Sequence, residues 1–270
     1  MSTLQQATTR ALRLLAPNPG PMTLDGTNTW VLREPGADGC VVVDPGPLDA
    51  AHLARVVEHG PVALIVLTHG HADHAEGAPR LHELTGAPVL ARDPALCIDI
   101  EPLRDEQVVD IAGVDWLTVL TPGHSSDSIS LLLRADRALL TGDTVLGRGT
   151  TVVAHPDGRL GDYLDSLQRL RDLADNEIDV LLPGHGPVLD APVEVLDHYL
   201  AHRADRLSQV RAAVAAGAVD AADVVRQVYA DVDPALWPAA ELSVQAQLEF
   251  LRTRGPGGAA PRPRGTPEPR

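Results

Sequence analysis

The sequence predicts a layered α/β domain followed by a small helical appendage. Three observations carry that reading. Short β-branched runs alternate with Gly/Pro turns and amphipathic segments over the first two-thirds of the chain. Strand-like and helix-like stretches are interleaved rather than segregated, the order expected of stacked sheet and helix layers. From about Val193 onward the pattern changes to helices alone.

Taken in order, Thr29–Arg33 and Cys40–Val43 read as strands joined by the turn Pro35–Gly39, and Leu48–Glu58 as a helix. Val62–Leu67 is the longest wholly apolar run, so it reads as a strand covered on both faces. Asp73–Leu84 is helical and stops at Gly86. Strands follow at Val89–Ala91, Trp116–Leu120, Ile129–Leu133 and Ala138–Thr141, then a helix over Asp162–Leu173 and a strand at Val180–Leu182. Glu194–Ala215, Ala221–Tyr229 and Leu236–Leu251 are the helices of the appendage. Beyond Arg254 the Pro/Gly-rich composition cannot build a core and reads as disordered.

Composition narrows the function. The chain has 270 residues, 44% of them hydrophobic, enough for a sizeable core. It carries 22 basic residues, all arginine, against 37 acidic ones, a net charge of −15. That balance disfavours broad capture of nucleic acid, and the absence of lysine removes Schiff-base and P-loop chemistry. Aromatic residues make up only 3%, too few for base-stacking platforms. Cys40 and Cys97 form neither a CxxC nor a disulfide framework and read as small buried residues of a reducing compartment. With no apolar leader and no membrane-length run, the expected location is cytoplasmic, without membrane contact.

The 11 histidines cluster. The Val62–Leu67 strand ends in Thr68-His69-Gly70-His71-Ala72-Asp73-His74, which places several ligand-type side chains at a strand mouth. Three further segments repeat the setting: Pro122-Gly123-His124, Gly142-Asp143 and Pro183-Gly184-His185-Gly186 each follow an apolar strand. Imidazole and carboxylate suit zinc, and iron and manganese also accept that donor set.

In that order the motifs resemble the metallo-β-lactamase-fold hydrolases, over roughly Thr23 to Val188. The resemblance implies an αββα sandwich with a dinuclear site at one edge. It places His69, His71 and His124 on one metal, and Asp73, His74 and His185 on the other, with Asp143 bridging. The implied cofactor is a pair of Zn²⁺ ions, with iron or manganese as alternatives. Asp44 matches an early aspartate of the family that orients the histidine loop. Gly142 to Thr151, with Ala201-His202-Arg203 and Arg206, resembles the branch containing beta-lactamase-like protein two, where the appendage is winged-helix-like. No wing-like hairpin follows Leu251, and Ser128 stands where some relatives carry another histidine.

The expected division is a catalytic domain over 1–192, a helical module over 193–254 and a disordered tail over 255–270. The expected activity is hydrolysis of a small-molecule ester or thioester, or of RNA as in an endoribonuclease. Asp73 is the catalytic residue, handling the proton of the attacking water. Asn28, Trp30, His198 and His202 are candidate pocket residues. Arg203 and Arg206 are candidates to contact anionic groups or to pair with Asp197 or Asp205. The appendage reads as a lid or a homodimerisation element. The competing reading is a non-catalytic metal-binding protein with the helices as its working surface.

Overall fold

A computed structural model describes residues 4–254. Two six-stranded mixed sheets face one another. The first runs, in spatial order, β1 (Leu4–Gln6), β2 (Ala11–Leu15), β3 (Asn28–Leu32), β4 (Cys40–Val43), β5 (Val62–Val66) and β6 (Val89–Leu90). The second contains β7 (Val108–Ile111), β8 (Val114–Leu120), β9 (Ile129–Leu133), β10 (Ala138–Gly142), β11 (Val180–Pro183) and β12 (Leu189–Asp190), again in spatial order. The parallel pairs are β4 with β5, β5 with β6, and β10 with β11. Each needs a crossover, and helices supply them. Helix α1 (Ala50–Val57) links β4 to β5, α2 (Ala72–Ala75) and α3 (Ala78–Thr85) link β5 to β6, and α4 (Leu160–Glu177) links β10 to β11.

The period of two along each strand divides its side chains between two cores. On β3, β4 and β5, Trp30, Leu32, Val41, Val43, Leu64 and Val66 point between the sheets and meet Trp116, Ile129, Leu131 and Leu140. Val31, Val42 and Ile65 point outward and are covered by Leu53 and Val56 of α1 and Leu81 of α3. Val119, Leu132 and Leu139 are covered by Tyr163, Leu164 and Leu167 of α4 and Leu196 and Tyr199 of α5 (Pro192–Ala215). Both faces of the central strands are therefore buried, which is why their sequences are continuously apolar. The result is four layers, αββα.

The C-terminal part of α5 packs with α6 (Ala221–Val228) and α7 (Trp237–Arg254) around a smaller core of Val210, Val224, Val225 and Val244. Among the described residues this module is helical throughout, and residues 255–270, read as disordered, lie outside them. No helix among the described residues is long and apolar enough to cross a membrane. Cys40 is buried and unbridged, and Cys97 is partly buried and unbridged.

The structure corrects three readings. The helix expected over Asp73–Leu84 is two helices, α2 and α3, broken at Gly77. A Cβ there would lie 2.9 Å from the Gly46 carbonyl, so this loop-to-loop contact needs glycine. The strands β1 and β2, where none were expected, add the outer edge of the first sheet. The strand expected over Trp116–Leu120 begins earlier, at Val114, and forms a hairpin with the unforeseen β7.

Candidate metal centre

All the clustered histidines and aspartates sit at C-terminal strand ends on one edge of the sandwich. Asp44 follows β4, His69 to His74 follow β5, His124 follows β8, Asp143 follows β10 and His185 follows β11. Backbone bonds tie the two sheets together here: Asn28 N–H donates to Gly184 O at 2.7 Å and Ile129 N–H to Thr68 O at 2.9 Å.

The side chains converge in overlapping groups whose ligand atoms lie within 4.8 Å of one another: His69, His71 and His124; His69, His74 and Asp143; Asp73, His74 and His185. His71 Nδ1 is 3.0 Å from both His69 Nε2 and His124 Nε2. His74 Nε2 and His185 Nε2 are 3.1 Å apart. Asp143 Oδ1 lies 3.4 Å from His74 Nε2, and its Oδ2 lies 3.3 Å from His185 Nε2 and 3.8 Å from His124 Nε2, so this carboxylate spans both halves of the cluster. Asp73 Oδ2 is 3.1 Å from His185 Nε2 and 3.6 Å from His74 Nε2.

The far nitrogen of each of four histidines is held by the scaffold. His74 Nδ1–H donates to Asp44 Oδ2 at 2.8 Å, His124 Nδ1–H to Val152 O at 2.8 Å and His185 Nδ1–H to Gly26 O at 3.2 Å. His69 Nδ1 meets Thr68 Oγ1 at 3.1 Å, and that hydroxyl in turn donates to Asp44 Oδ2 at 2.7 Å. Such partners fix the ring orientation and turn Nε2 toward the cluster, where it is a donor atom once its proton is displaced. Asp44, buried and also held by the Thr68 N–H at 2.8 Å, thus orients His74 directly and His69 through Thr68.

Electrostatics pull in opposite directions within a few ångströms. Burial, with His74 and His124 adding to it, holds His69 well below the usual imidazole range, and burial lowers His124 as well. Against their own burial, His74 is raised well above that range by Asp143 and Asp44, and His185 is raised to about 9 by its bonds to Asp143 and Asp73. Asp143, though buried, is held well below the usual carboxylate range by His74 and His185. A divalent cation competes with the protons on such histidines for the same lone pairs.

The residues fit metal ions on two counts. Donors at about 2.0–2.1 Å on one tetrahedral zinc stand about 3.4 Å from each other, close to the separations here. Asp143 Oδ1 is also buried without a hydrogen bond, its near neighbour being His74 Nε2 at 3.4 Å, so it has lone pairs to offer a cation. Access is one-sided: His71 is exposed and Asp73 half-buried, whereas His69, His74 and His185 are fully enclosed. Gly184 lets the β11 loop close over the cluster, since a Cβ there would lie 2.5 Å from Asp143 Oδ1 and 2.7 Å from His74 Cε1.

The candidate pocket residues lie elsewhere. Asn28 is buried and its amide donates to Pro183 O and Gly186 O, both at 2.9 Å. Trp30 belongs to the inter-sheet core and its indole N–H donates to Pro183 O at 3.2 Å. Both brace the loop that carries His185 instead of lining an open pocket. His198 is exposed over a shallow depression with Leu146, Arg148 and Tyr199, and His202 lines a separate cavity. The expected pairs of Arg203 and Arg206 with Asp197 and Asp205 do not form. Asp197 binds Arg171 at 2.7 Å, and Asp205 accepts from Gln209 at 2.8 Å. The sequence reading missed Thr68, Thr151 and Tyr163. The Thr151 hydroxyl donates to Asp143 O, and the Tyr163 hydroxyl donates to Thr144 O at 2.7 Å, so both brace the Asp143 loop. Only Thr68 stands next to a ligand motif; Thr151 and Tyr163 lie well beyond Asp143 in the chain, with no local signal.

Residues 22–185 match the Metallo-beta-lactamase superfamily model, and residues 221–255 match the Beta-lactamase associated winged helix domain. A Caenorhabditis elegans protein named beta-lactamase-like protein 2 homolog is 34% identical over 257 residues, 88% of this chain and 83% of that protein. An Aspergillus fumigatus atrochrysone carboxyl ACP thioesterase is 36% identical over 193 residues, 67% of this chain and 57% of that one. The crystal structure of a beta-lactamase domain protein from Burkholderia ambifaria shares the fold, with a TM-score of 0.78 at 24% identity, covering 95% of this chain and 91% of that chain.

Proposed function

The chain belongs to the metallo-beta-lactamase superfamily, and on that premise we propose that it is a dinuclear zinc hydrolase acting on an ester or thioester of a small organic acid. The observation that carries the reading is the convergence of His69, His71, His74, His124 and His185 with Asp73 and Asp143 at one accessible edge, with Asp143 Oδ1 left unpartnered. His69, His71 and His124 would hold one ion, Asp73, His74 and His185 the other, with Asp143 between them. Bound there, the ions supply a water nucleophile at neutral pH and polarise the carbonyl under attack.

The chain's own residues do the rest. Asp73 has more solvent exposure than Asp143 (29% against 10% of its side chain), so its carboxylate is reachable by both substrate and water. It accepts the proton that water loses as the new C–O bond forms. It returns that proton to the departing sulfur or oxygen as the C–S or C–O bond breaks, releasing a thiol or alcohol. Asp44, Thr68, Val152 and Gly26 keep the imidazoles aimed throughout, so no reorientation is needed during turnover.

The rim supports an acyl substrate over RNA. Asp127 lies beside Gly70, its Oδ2 3.2 Å from where a Cβ would stand, and exposed Asp157 accepts from Ser126 N–H at 3.0 Å. Nearby, Arg148 is paired with Asp25 at 2.6 Å and Arg159 with Asp162 at 3.5 Å. A phosphodiester backbone approaching this edge meets carboxylates first. The thioesterase relative points the same way. The test is turnover by metal-replete protein on matched panels of acyl thioesters, esters and oligoribonucleotides, with Asp73→Ala as control. Acyl hydrolysis lost in the control is expected. RNA cleavage alone would establish the endoribonuclease reading, and inertness on every panel with metal bound would overturn both.

A further inference from the structure

Between the sandwich and the C-terminal helices lies a cavity of about 270 Å³ that none of the candidate metal ligands lines. Its apolar wall includes Val152, Tyr229 and Leu236, and its polar wall includes His202, Arg203 and Arg206 of α5 together with the hydroxyl residues Thr150, Thr151 and Ser243. No Asp or Glu lines it, although the chain carries 37 of them. Neither arginine forms an ion pair among the described residues. Arg203 is only 8% exposed, donates to Thr151 O and lies over the Tyr163 ring at 5.0 Å, yet its Nε–H is buried with no acceptor. Arg206 lies over Tyr229 at 4.7 Å and donates only to Gln209 Oε1 and Val228 O. His202 Nδ1 is also buried without a partner, and burial first, then the two guanidinium groups, lower its pKa to about 4.

A buried guanidinium with no carboxylate is costly unless something else neutralises it. The same walls connect to the metal centre. Val152 O holds His124, and the neighbouring Thr151 holds both Asp143 O and Arg203. We propose that this cavity is an anion-binding subsite for the substrate, taking a carboxylate or phosphate on an apolar body, with Arg203 and Arg206 as its specificity determinants. Guanidinium edges match either oxyanion by paired N–H donors, and the apolar wall covers the carbon skeleton. The inference rests on the hydrolase reading for its meaning, but binding tests it separately.

The experiment is calorimetric titration of the full metal-replete chain with phenylacetate, phenyl phosphate and the neutral phenylacetamide, in wild type and in Arg206→Gln, whose half-exposed side chain is replaced without disturbing a core. At least one anion is expected to bind at least tenfold tighter than the amide. That preference falls at least tenfold in Arg206→Gln, and the preferred anion identifies carboxylate or phosphate as the natural group. Equal binding of all three probes, or anion binding unchanged in Arg206→Gln, overturns the subsite, since an anion seated on the metals would not sense Arg206. Arg203→Lys, which keeps the charge and loses the fork, is expected to retain the fold by thermal melting while weakening the same anion. Anion binding by a protein that hydrolyses no acyl substrate would sink the acyl-hydrolase reading and leave the subsite standing.

Discussion

His52, on the inner face of α1, and four of the histidines at the strand ends, His69, His74, His124 and His185, are all buried but differently employed. His52 is saturated by its surroundings. Arg55 Nη2 donates to its Nδ1 at 3.0 Å, so its Nε2–H donates to Thr29 Oγ1 at 2.9 Å, and no lone pair is left. His69, His74, His124 and His185 use one nitrogen in the same way and turn the other toward one another and toward carboxylates. A structural histidine closes its own hydrogen-bond account. A ligating one is held by one side and left reactive on the other, and that asymmetry separates the two regions more clearly than burial does.

The largest effect is expected at the reactive end. Asp73→Asn keeps the size of the side chain but removes its basicity, and kcat for acyl hydrolysis should fall about 10²–10⁴-fold. Assaying metal content in parallel tells proton transfer from metal loss: a full complement of metal with low kcat marks the former.

The next test is of the saturated histidine. The pKa of His52 is lowered from 6.5 to about 4, by burial first and by Arg55 second. Because the folded value lies below the unfolded one, its contribution is complete above about pH 6.5 and is lost as pH falls toward 4. Protonation would remove the acceptor for Arg55 and set two cations together, a loss of about 2–3 kcal/mol at the acid end. Urea unfolding of wild type and His52→Gln at pH 7 and pH 4.5 should show a gap that narrows in acid. A gap independent of pH would mean that His52 titrates normally.

Asp44→Ala attacks the holding side of the reactive set without touching a donor atom. Metal affinity, measured by chelator competition, is expected to weaken about 10–100-fold. The smallest effect is expected from Asp49→Ala. Asp49 caps α1, its Oδ1 accepting from the His52 N–H at 2.7 Å, and its loss should lower stability by about 1 kcal/mol with metal binding unchanged. A change in metal affinity here would mean that the two regions are coupled through α1.

The ligand-type residues were legible because the chain announces them locally. His69 to His74 form one uninterrupted loop after an apolar strand, and His124, Asp143 and His185 each follow glycine at a strand end. The inner strands were legible for the same reason, being apolar on both faces. The outer strands β1 and β2 of the first sheet were not. β2 alternates only weakly (Ala11 and Leu14 buried, the others partly so), and its assignment depends on pairing with β3. The roles of Asn28 and Trp30 were hidden because a side chain beside a metal loop looks the same in sequence whether it lines a pocket or clamps the loop. The partner of Asp197 was hidden because Arg171 lies on another helix. Gly77 broke a helix through a contact with Gly46, a loop that no local pattern connects to it.

The bonds Asn28 N–H to Gly184 O and Ile129 N–H to Thr68 O tie the two sheets along the edge where the donors meet. His69, His71, Asp73 and His74 descend from the first sheet, while His124, Asp143 and His185 descend from the second. Under the proposed function, ions shared between these sets would add a second tie between the halves of the sandwich, so metal supply would bear on mechanical integrity as well as chemistry. Chelation is then expected to loosen that edge as well as silence the site, leaving the backbone bonds and the inter-sheet core to hold the halves together.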